Sequence, residues 1–357
     1  MTVLYLNLVI VFLLAFGARY LSTPVFATTI YSPVKIKPNR YLTILAMVAL
    51  ILVSGLRTNI GDTFFYRHAY QVHDFSWEFI WSQKDIGFGI LQMILKKLSE
   101  DPQILILATA LITNMLIVLV LYKYSRMIEM SLFVYITSGL FLVSMNGIRQ
   151  FLSASIIFAA TKYIMDGNWK KFMIVIFLAA TFHQSALIFI PIYFLVRRKA
   201  WTKSTFALLG IAMIVVVGYN QFSSLLFIAL EDTQYGHYSD FSEGGASILR
   251  VLVYAAPLFI AYLGREKFRN IFPNSDYIVN ICILNLIFMI IASQNWIFAR
   301  FTIYFGLYNL ILIAWVVKLV KERDQKFLYF GIFVFYLAYF YYEHVISLAI
   351  SYKSNFF

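Results

Sequence analysis

Apolar runs recur from one end of this chain to the other, and they limit the fold more than any other feature. A membrane-spanning helix needs about 17 to 25 predominantly apolar residues. Only 13% of the residues are charged, against about 25% in an ordinary soluble domain. The sequence therefore predicts an all-α polytopic membrane protein with about eleven to twelve transmembrane segments. The predicted helices are 3–21, 41–56, 102–122, 130–145, 150–165, 172–183, 185–196, 204–219, 248–263, 277–292, 299–317 and 327–342.

No hydrophilic block is large enough to form a separate soluble domain, so residues 1–357 are predicted to form a single membrane domain. The first apolar run has no basic residue before it, and Arg19 is its first positive charge. This order favours a retained first helix with its N-terminus outside over a signal peptide. The one cysteine, Cys282, lies within an apolar run, so no intrachain disulfide is expected.

Most of the 29 lysines and arginines fall in six clusters that can share one face of the membrane. Basic residues accumulate in cytoplasmic loops, so this face is predicted to be cytoplasmic. The net charge of +12 then reflects topology, and no nucleic-acid partner is predicted. The clusters are Arg19/Lys35/Lys37/Arg40, Lys123/Arg126, Lys162/Lys170/Lys171, Arg197/Arg198/Lys199/Lys203, Arg265/Lys267/Arg269 and Lys318/Lys321/Arg323/Lys326.

The stretch 172–196 decides whether this topology holds. All six clusters share a face only if it crosses out and back as two short helices, 172–183 and 185–196. Each arm would span about 18 Å, less than a hydrocarbon core of about 30 Å. A single helix would match that thickness better, but it would place Arg197 and the cations after it outside. The stretch Thr181–Ser185, polar apart from Phe182, interrupts the run at its middle, which favours a broken hairpin lining a cavity.

Two long segments, 57–101 and 220–247, are predicted on the extracytoplasmic side. Within the first, apolar residues recur at helical spacing from Asp85 to Glu100. This spacing predicts an amphipathic helix that lies on the membrane surface or against the bundle. The second segment is acidic and contains glycines, so it is either a mobile flap over a site or a simple connector.

Three arginines, Arg57, Arg149 and Arg300, lie at the predicted outer ends of apolar segments. Basic residues are disfavoured there, because they accumulate on the cytoplasmic side. A single arginine in such a place can extend to lipid headgroups. Three of them, with Asp62 and His183 also on the outer side, favour a shared anionic site. The planar guanidinium makes paired bonds to phosphate and stays charged, so a pyrophosphate group would suit this site.

Asp62 and His183 are the two candidates for a general base. A carboxylate near arginines stays ionised and can accept a proton from an attacking hydroxyl, although Gly-Asp-Thr is also typical of a turn or a helix N-cap. His183 competes for the role, and a lone histidine among aromatic residues is also typical of a structural position. No metal or cofactor is expected, because the other histidines show no metal-ligand spacing. These are His68, His73, His237 and His344.

A series of short motifs runs along nearly the whole chain. They are Ser54-Gly55-Leu56-Arg57, Gly61-Asp62 with Tyr66, Asp85-x-Gly87-Phe88, Glu100-Asp101-Pro102-Gln103, Asn146-Gly147-Ile148-Arg149-Gln150, Gly167-Asn168-Trp169-Lys170, Phe182-His183-x-Ser185-Ala186-Leu187, Arg197-Arg198-Lys199-Ala200-Trp201, and Phe298-Ala299-Arg300-Phe301 with Tyr304-Phe305-Gly306-Leu307-Tyr308. In this order they resemble the EpsG family, membrane proteins of exopolysaccharide and biofilm-matrix loci that are similar to Wzy-type polysaccharide polymerases.

The resemblance implies a GT-C-like glycosyltransferase that joins undecaprenyl-pyrophosphate-linked oligosaccharides outside the cytoplasmic membrane. Membrane lipid and an exopolysaccharide synthesis or export complex are the other partners that it implies. Asp62, or failing that His183, would accept the proton of the attacking sugar hydroxyl. The three arginines would stabilise the leaving pyrophosphate, and Tyr66, Tyr70 and Trp77 are candidates for stacking against sugars. The family's matching positions are Arg57, Asp62, Tyr66, Arg149, His183 and Arg300, and Tyr304 is a further substrate-binding candidate.

Two other classes of protein stay open. A flippase or other transporter of lipid-linked sugars would be expected to show a polar pathway at the midplane or paired repeats with broken helices. The apolar segments carry few charges and no internal repeat is evident. A membrane acyltransferase acting on sugars would also place a histidine and an arginine in a cavity. Acyl-CoA chemistry usually needs access from the cytoplasm, however, whereas the candidates here are predicted to face outward.

Overall fold

The computed structural model of the protein describes residues 1–24, 36–219 and 244–356. The predicted outer segment 220–247 therefore lies outside the described residues, apart from 244–247. Within the described ranges there are eighteen α-helices. They are α1 (Thr2–Tyr20), α2 (Arg40–Gly55), α3 (Thr63–Val72), α4 (Trp77–Ser82), α5 (Ile86–Leu98), α6 (Gln103–Tyr124), α7 (Ile128–Thr137), α8 (Leu140–Asn146), α9 (Ile148–Ala159), α10 (Thr161–Asp166), α11 (Trp169–Phe182), α12 (Phe189–Val196), α13 (Lys203–Val217), α14 (Ile248–Leu263), α15 (Arg265–Ile271), α16 (Ser275–Ala292), α17 (Ala299–Val316) and α18 (Glu322–Phe340).

Short elements complete the architecture. The 3₁₀ helices Gln184–Ile188 and Trp296–Phe298 precede α12 and α17, and a π-helical turn, Tyr341–Ser347, follows α18. Two-residue strands, Thr23–Pro24 and Ile36–Lys37, pair antiparallel. The all-α polytopic class is confirmed, because each predicted apolar run coincides with a helix or a broken helix.

The number of crossings is less regular than the sequence indicates. Among the described residues, four helices are long and apolar enough to span a membrane, and two bent pairs raise this to six. One bent pair is α7 with α8, which meet at 55° around Gly139, whose φ of +86° suits glycine. The other is α14 with α15, at 81°. Several of the remaining runs form apolar helices of 10–17 residues, so the predicted eleven to twelve crossings stay a prediction.

Helix α17 occupies the centre of the bundle, where its neighbours are α7, α9, α14 and α16. From Thr302 to Val316 all of its residues are buried. A helix that is apolar on every face belongs in such a position. Because α17 begins at Ala299, it carries Arg300 and Tyr304 on its first turns, at one end of the bundle.

The broken hairpin over 172–196 is confirmed. Helix α11 ends at Phe182, and the chain turns before α12 begins at Phe189. The rings of Phe172 and Tyr193 lie 5.2 Å apart, whereas one straight helix would separate them by about 30 Å. Arg197 packs against Gly167, just before the start of α11. Both ends of the hairpin therefore lie at the same end of the bundle.

Several predicted basic clusters meet at that end, which we call the basic end. Arg269 donates to the carbonyl of Ala200, with 3.2 Å between donor and acceptor. Lys267 donates to the carbonyl of Val320 at 2.9 Å, so the cluster on α15 touches those after α12 and after α17. Arg19 of α1 forms an ion pair with Glu129 of α7. The first two contacts place the clusters after α12, on α15 and after α17 at one end, as the charge pattern predicts.

Cysteine labelling tests this two-ended arrangement. In a Cys282→Ser background we expect Lys199→Cys and Lys97→Cys to react with a membrane-impermeant maleimide from opposite sides of intact cells or inverted vesicles. The native Cys282 is buried, so its replacement removes background reactivity without exposing a new surface. Labelling of both positions from the same side would contradict the hairpin.

Candidate functional site

The candidate site is built at the bundle end opposite the basic end, around the junction of α8 and α9. Arg57 lies there and is 1% exposed. Its guanidinium donates to the carbonyls of Ser54 and Met145, the latter at 2.6 Å, and its Nε donates to Thr63 Oγ1 at 3.1 Å. Burial lowers the pKa of Arg57 to about 9. Arg57 thus ties the segment after α2 to the end of α8.

Asp62 lies on the surface of this segment. Gly61, before it, has φ of +50°, and a Cβ at that position would overlap the side chain of Asn146. Asn146 Oδ1 accepts a hydrogen bond from the backbone N–H of Asp62 at 2.9 Å. Asp62 occupies the N-cap position of α3, but its side chain makes no capping hydrogen bond. Its carboxylate is exposed to solvent.

Arg149, on the first turn of α9, is paired with a carboxylate other than Asp62. Its Nη1 lies 2.8 Å from Asp85 Oδ2, and its guanidinium carbon lies 5.9 Å from the centre of the Tyr66 ring. Asp85 is only 7% exposed, whereas the Arg149 side chain is 44% exposed. Burial raises the pKa of Asp85, while Arg149 and the backbone N–H of Gln184 act in the opposite direction.

Close packing brings Asp85 to this place. Asp85 precedes α5, and a Cβ on Gly87 would overlap Thr181 near the end of α11. Only a residue without a side chain permits this approach of α5 to the hairpin. Phe88 is buried and its ring lies 6.0 Å from that of Tyr66. Of the two predicted positions for this amphipathic helix, the structure places it against the bundle.

His183 begins a chain of hydrogen-bonding side chains at the hairpin tip. Its Nδ1 lies 2.6 Å from Ser185 Oγ, which lies 2.8 Å from the hydroxyl of Tyr304. The Tyr304 hydroxyl continues to Ser153 Oγ at 3.4 Å. Burial lowers the pKa of His183 to about 4, and the positive charges of Arg149 and Arg300 act in the same direction. At neutral pH His183 is therefore uncharged and can accept a proton.

Arg300 completes the cluster from the start of α17. Its guanidinium carbon lies 4.9 Å from the centre of the Trp296 ring. Gln150, next to Arg149 on α9, donates from Nε2 to the backbone carbonyl of Arg300 at 2.9 Å. The first turns of α9 and α17 are thereby joined. Both arginines act electrostatically on His183, so the site holds two cations near a neutral imidazole.

The sequence-derived candidates thus divide into groups. Arg149, His183, Arg300, Tyr66 and Tyr304 are brought together, while Arg57 is buried beside them and Asp62 is exposed. Sequence reasoning missed two side chains, Asp85 and Ser185. Both belong to motifs quoted above, and Asp85 is the only acidic residue within the Asp85-x-Gly87-Phe88 motif.

The two other aromatic candidates lie apart from the polar cluster. Tyr70 is fully buried, and its hydroxyl donates to the carbonyl of Ser99 at 2.9 Å. Trp77 is 54% exposed, on α4. Of these two, only Trp77 presents a ring to solvent.

The arrangement has the parts needed for transfer from an anionic leaving group. Two arginines can bind phosphate oxygens, and a neutral histidine with a hydroxyl chain behind it can accept a proton and orient its ring. No curated protein and no solved structure matches the chain. The family model of the EpsG family matches residues 40–354, which is nearly the whole chain. The chain therefore belongs to the EpsG family, whose membrane proteins are related to exopolysaccharide biosynthesis.

Proposed function

We propose that this protein is a polysaccharide polymerase that joins undecaprenyl-pyrophosphate-linked oligosaccharides on the extracytoplasmic face of the cytoplasmic membrane. The observation that carries the proposal is the convergence of Arg149, Arg300 and His183 at the end of the bundle opposite the basic end. Basic residues favour the cytoplasm, so this site faces outward. GT-C-like architecture stays a prediction, because no solved structure matches the chain.

The two arginines bind the pyrophosphate of the growing chain. A hydroxyl of the incoming lipid-linked repeat attacks the anomeric carbon, the bond from that carbon to the pyrophosphate oxygen breaks, and undecaprenyl pyrophosphate leaves. The leaving group gains negative charge in the transition state, so preorganised cations lower the barrier. Arg149 is 44% exposed while paired with buried Asp85. Asp85 therefore orients Arg149 and leaves part of its guanidinium accessible to substrate.

His183 accepts the proton of the attacking hydroxyl, with Asp62 as the competing candidate. Two observations favour His183: its imidazole is uncharged at neutral pH, and its hydrogen bond to Ser185 holds the ring in place. Tyr304 lies behind Ser185 and fixes the orientation of the hydroxyl. Asp62 has an exposed carboxylate at the rim, where a sugar hydroxyl can also reach it. Arg57 stabilises the fold and does not bind substrate, because its guanidinium already donates hydrogen bonds to backbone carbonyls of the protein.

Turnover by purified protein tests the proposal. Wild-type protein in nanodiscs, given undecaprenyl-pyrophosphate oligosaccharide, should release undecaprenyl pyrophosphate and form polymer. His183→Gln should abolish both, whereas Asp62→Asn should reduce them only slightly. A full loss in Asp62→Asn with activity kept in His183→Gln would assign the base to Asp62. If folded wild-type protein forms no polymer but moves lipid-linked sugar across vesicles, it is a transporter. Acyl transfer from acyl-CoA to sugar would instead identify an acyltransferase.

The pH profile gives a separate expectation. The neutral imidazole is the active form, so transfer falls as the pH drops through the pKa of His183. We expect the rate to hold through pH 6.5, where an unperturbed histidine is half protonated, and to fall only near pH 4. Replacing Arg300 by glutamine removes a positive charge, so protonation becomes easier and the acid limb moves to higher pH. The measurement is the initial rate of transfer at each pH, corrected for hydrolysis of the lipid-linked substrate in the absence of protein. A wild-type limb near pH 6.5 would contradict the lowered pKa of His183.

A further inference from the structure

A groove at the basic end lies between α12, α13 and α16, away from the candidate site. It is partly open to solvent, and its cavity volume is about 50 Å³. One wall is apolar and is formed by Leu195, Leu208, Ile283 and Leu284. Helix α13 buries only Thr205 and Ala212. The groove therefore runs beside a helix face that the described part of the protein leaves largely uncovered.

The other wall of the groove is polar and positively charged. Arg198, Lys199, Thr202 and Ser204 line it, and the two cations are exposed. Arginine, lysine and hydroxyl groups are common ligands of phosphate oxygens. Thr202 is also the N-cap of α13, where the helix dipole favours a negative charge. A phosphate head joined to an apolar chain complements both walls.

The turn that presents the two cations is held in place by three side chains. Asn280 Nδ2 donates to the carbonyl of Arg198 at 2.8 Å. Trp201 has φ of +63°, a left-handed conformation that a bulky residue adopts only when its surroundings impose it. Its ring packs edge-on against Tyr262, with 5.2 Å between ring centres. Arg269 donates to the carbonyl of Ala200. These contacts fix the backbone of the motif Arg197–Trp201, which the proposed reaction does not use. The motif therefore holds Arg198 and Lys199 in place at the groove.

We propose that this groove binds one anionic phospholipid from the leaflet at the basic end. The phosphate lies between Arg198 and Lys199, and an acyl chain runs along Leu208 and Ile283. Charge complementarity identifies the occupant, because basic pockets between helices at the cytoplasmic surface attract anionic headgroups. The site is separate from the outward-facing cluster and does not depend on the polymerase reaction.

Lipid titration followed by native mass spectrometry tests the site. Delipidated full-length protein in detergent is titrated with phosphatidylglycerol or with phosphatidylcholine that has the same acyl chains. Each cation near an anionic headgroup contributes about fivefold in affinity. We therefore expect Arg198→Gln with Lys199→Gln to weaken phosphatidylglycerol binding about 25-fold. The matched control is Lys170→Gln with Lys171→Gln, a pair of exposed cations at the same end, which should leave binding unchanged.

A second variant tests the apolar wall without touching the charges. Leu208→Trp fills the groove and should weaken the binding of phosphatidylglycerol. Thermal unfolding of the same variant checks that it is still folded. Equal binding of the two lipids, or an equal loss in the control pair, would overturn the proposal. Displacement of the lipid by millimolar inorganic phosphate would also overturn it, because the site would then recognise a free anion. No turnover is measured, so failure here leaves the proposed polymerase activity untouched.

Discussion

Replacing Arg149 by alanine should lower the initial rate of undecaprenyl pyrophosphate release by about 100-fold or more. Removing one preorganised donor to a developing negative charge typically costs a factor of about 10² to 10³. The side chain is 44% exposed, so the fold should survive its loss. Asp85 loses its ionic partner in this variant, and its burial then favours the protonated form. The measurement is product release by purified protein in nanodiscs, with thermal unfolding recorded on the same sample.

Lys97→Ala is the matched control, because Lys97 is an exposed cation on α5, near the same end. A similar fall in both variants would show that bulk positive charge, rather than a placed guanidinium, assists the reaction. Arg149→Lys separates charge from geometry. A lysine keeps the charge but lacks the planar fork, so partial recovery is expected. Full activity in Arg149→Ala would remove Arg149 from the proposed site.

Replacing Arg57 by alanine should act mainly on stability. The variant removes the Arg57 donor from the buried carbonyls of Ser54 and Met145, of which Met145 keeps only a 3.5 Å contact from Thr63 Oγ1, at about 1 to 3 kcal/mol for each lost hydrogen bond. The lowered pKa of Arg57 shows that burying its charge is unfavourable. The variant no longer buries this charge, which offsets part of the lost stability. We expect a net destabilisation of about 3 kcal/mol. The apparent Tm in detergent should fall by about 5 °C or more.

Arg323→Ala provides the comparison for Arg57→Ala, since Arg323 is 80% exposed and such substitutions usually change stability by less than about 0.5 kcal/mol. All scans need one heating rate, because membrane proteins often unfold irreversibly. An Arg57→Ala protein with wild-type Tm and no polymerase activity would restore the direct pyrophosphate-binding role that the sequence suggests for this residue.

Local features of the sequence predicted much of the fold. Helical periodicity from Asp85 to Glu100 gave α5, whose bounds are Ile86–Leu98. The polar interruption at Thr181–Ser185 gave the hairpin, and charge clusters separated the two ends of the bundle. Each of these signals lies within a short stretch, and each reflects the contrast between water and hydrocarbon.

Partners distant along the chain were harder to predict. Asp85 pairs with Arg149 across 64 positions, and nothing near Asp85 in the sequence identifies this partner. Its position at the start of an amphipathic helix is equally typical of a helix boundary. Arg57 likewise looks like an interfacial arginine until Met145, 88 positions away, is seen to accept its hydrogen bond. The bend at Gly139 depends on packing, because His344 fills the space where a side chain would be.

The segment after α2 pairs with a stretch of chain near residue 354, and this has a consequence for biosynthesis. Lys353 donates its backbone N–H to Asn59 Oδ1 across 294 positions, and its carbonyl accepts from the N–H of Thr58. The Tyr352 hydroxyl donates to the carbonyl of Val53. A ribosome delivers residues 53–59 long before these partners. The rim of the site therefore closes only after α18 and residues 352–353 have been synthesised, so an incompletely synthesised chain would lack this closure.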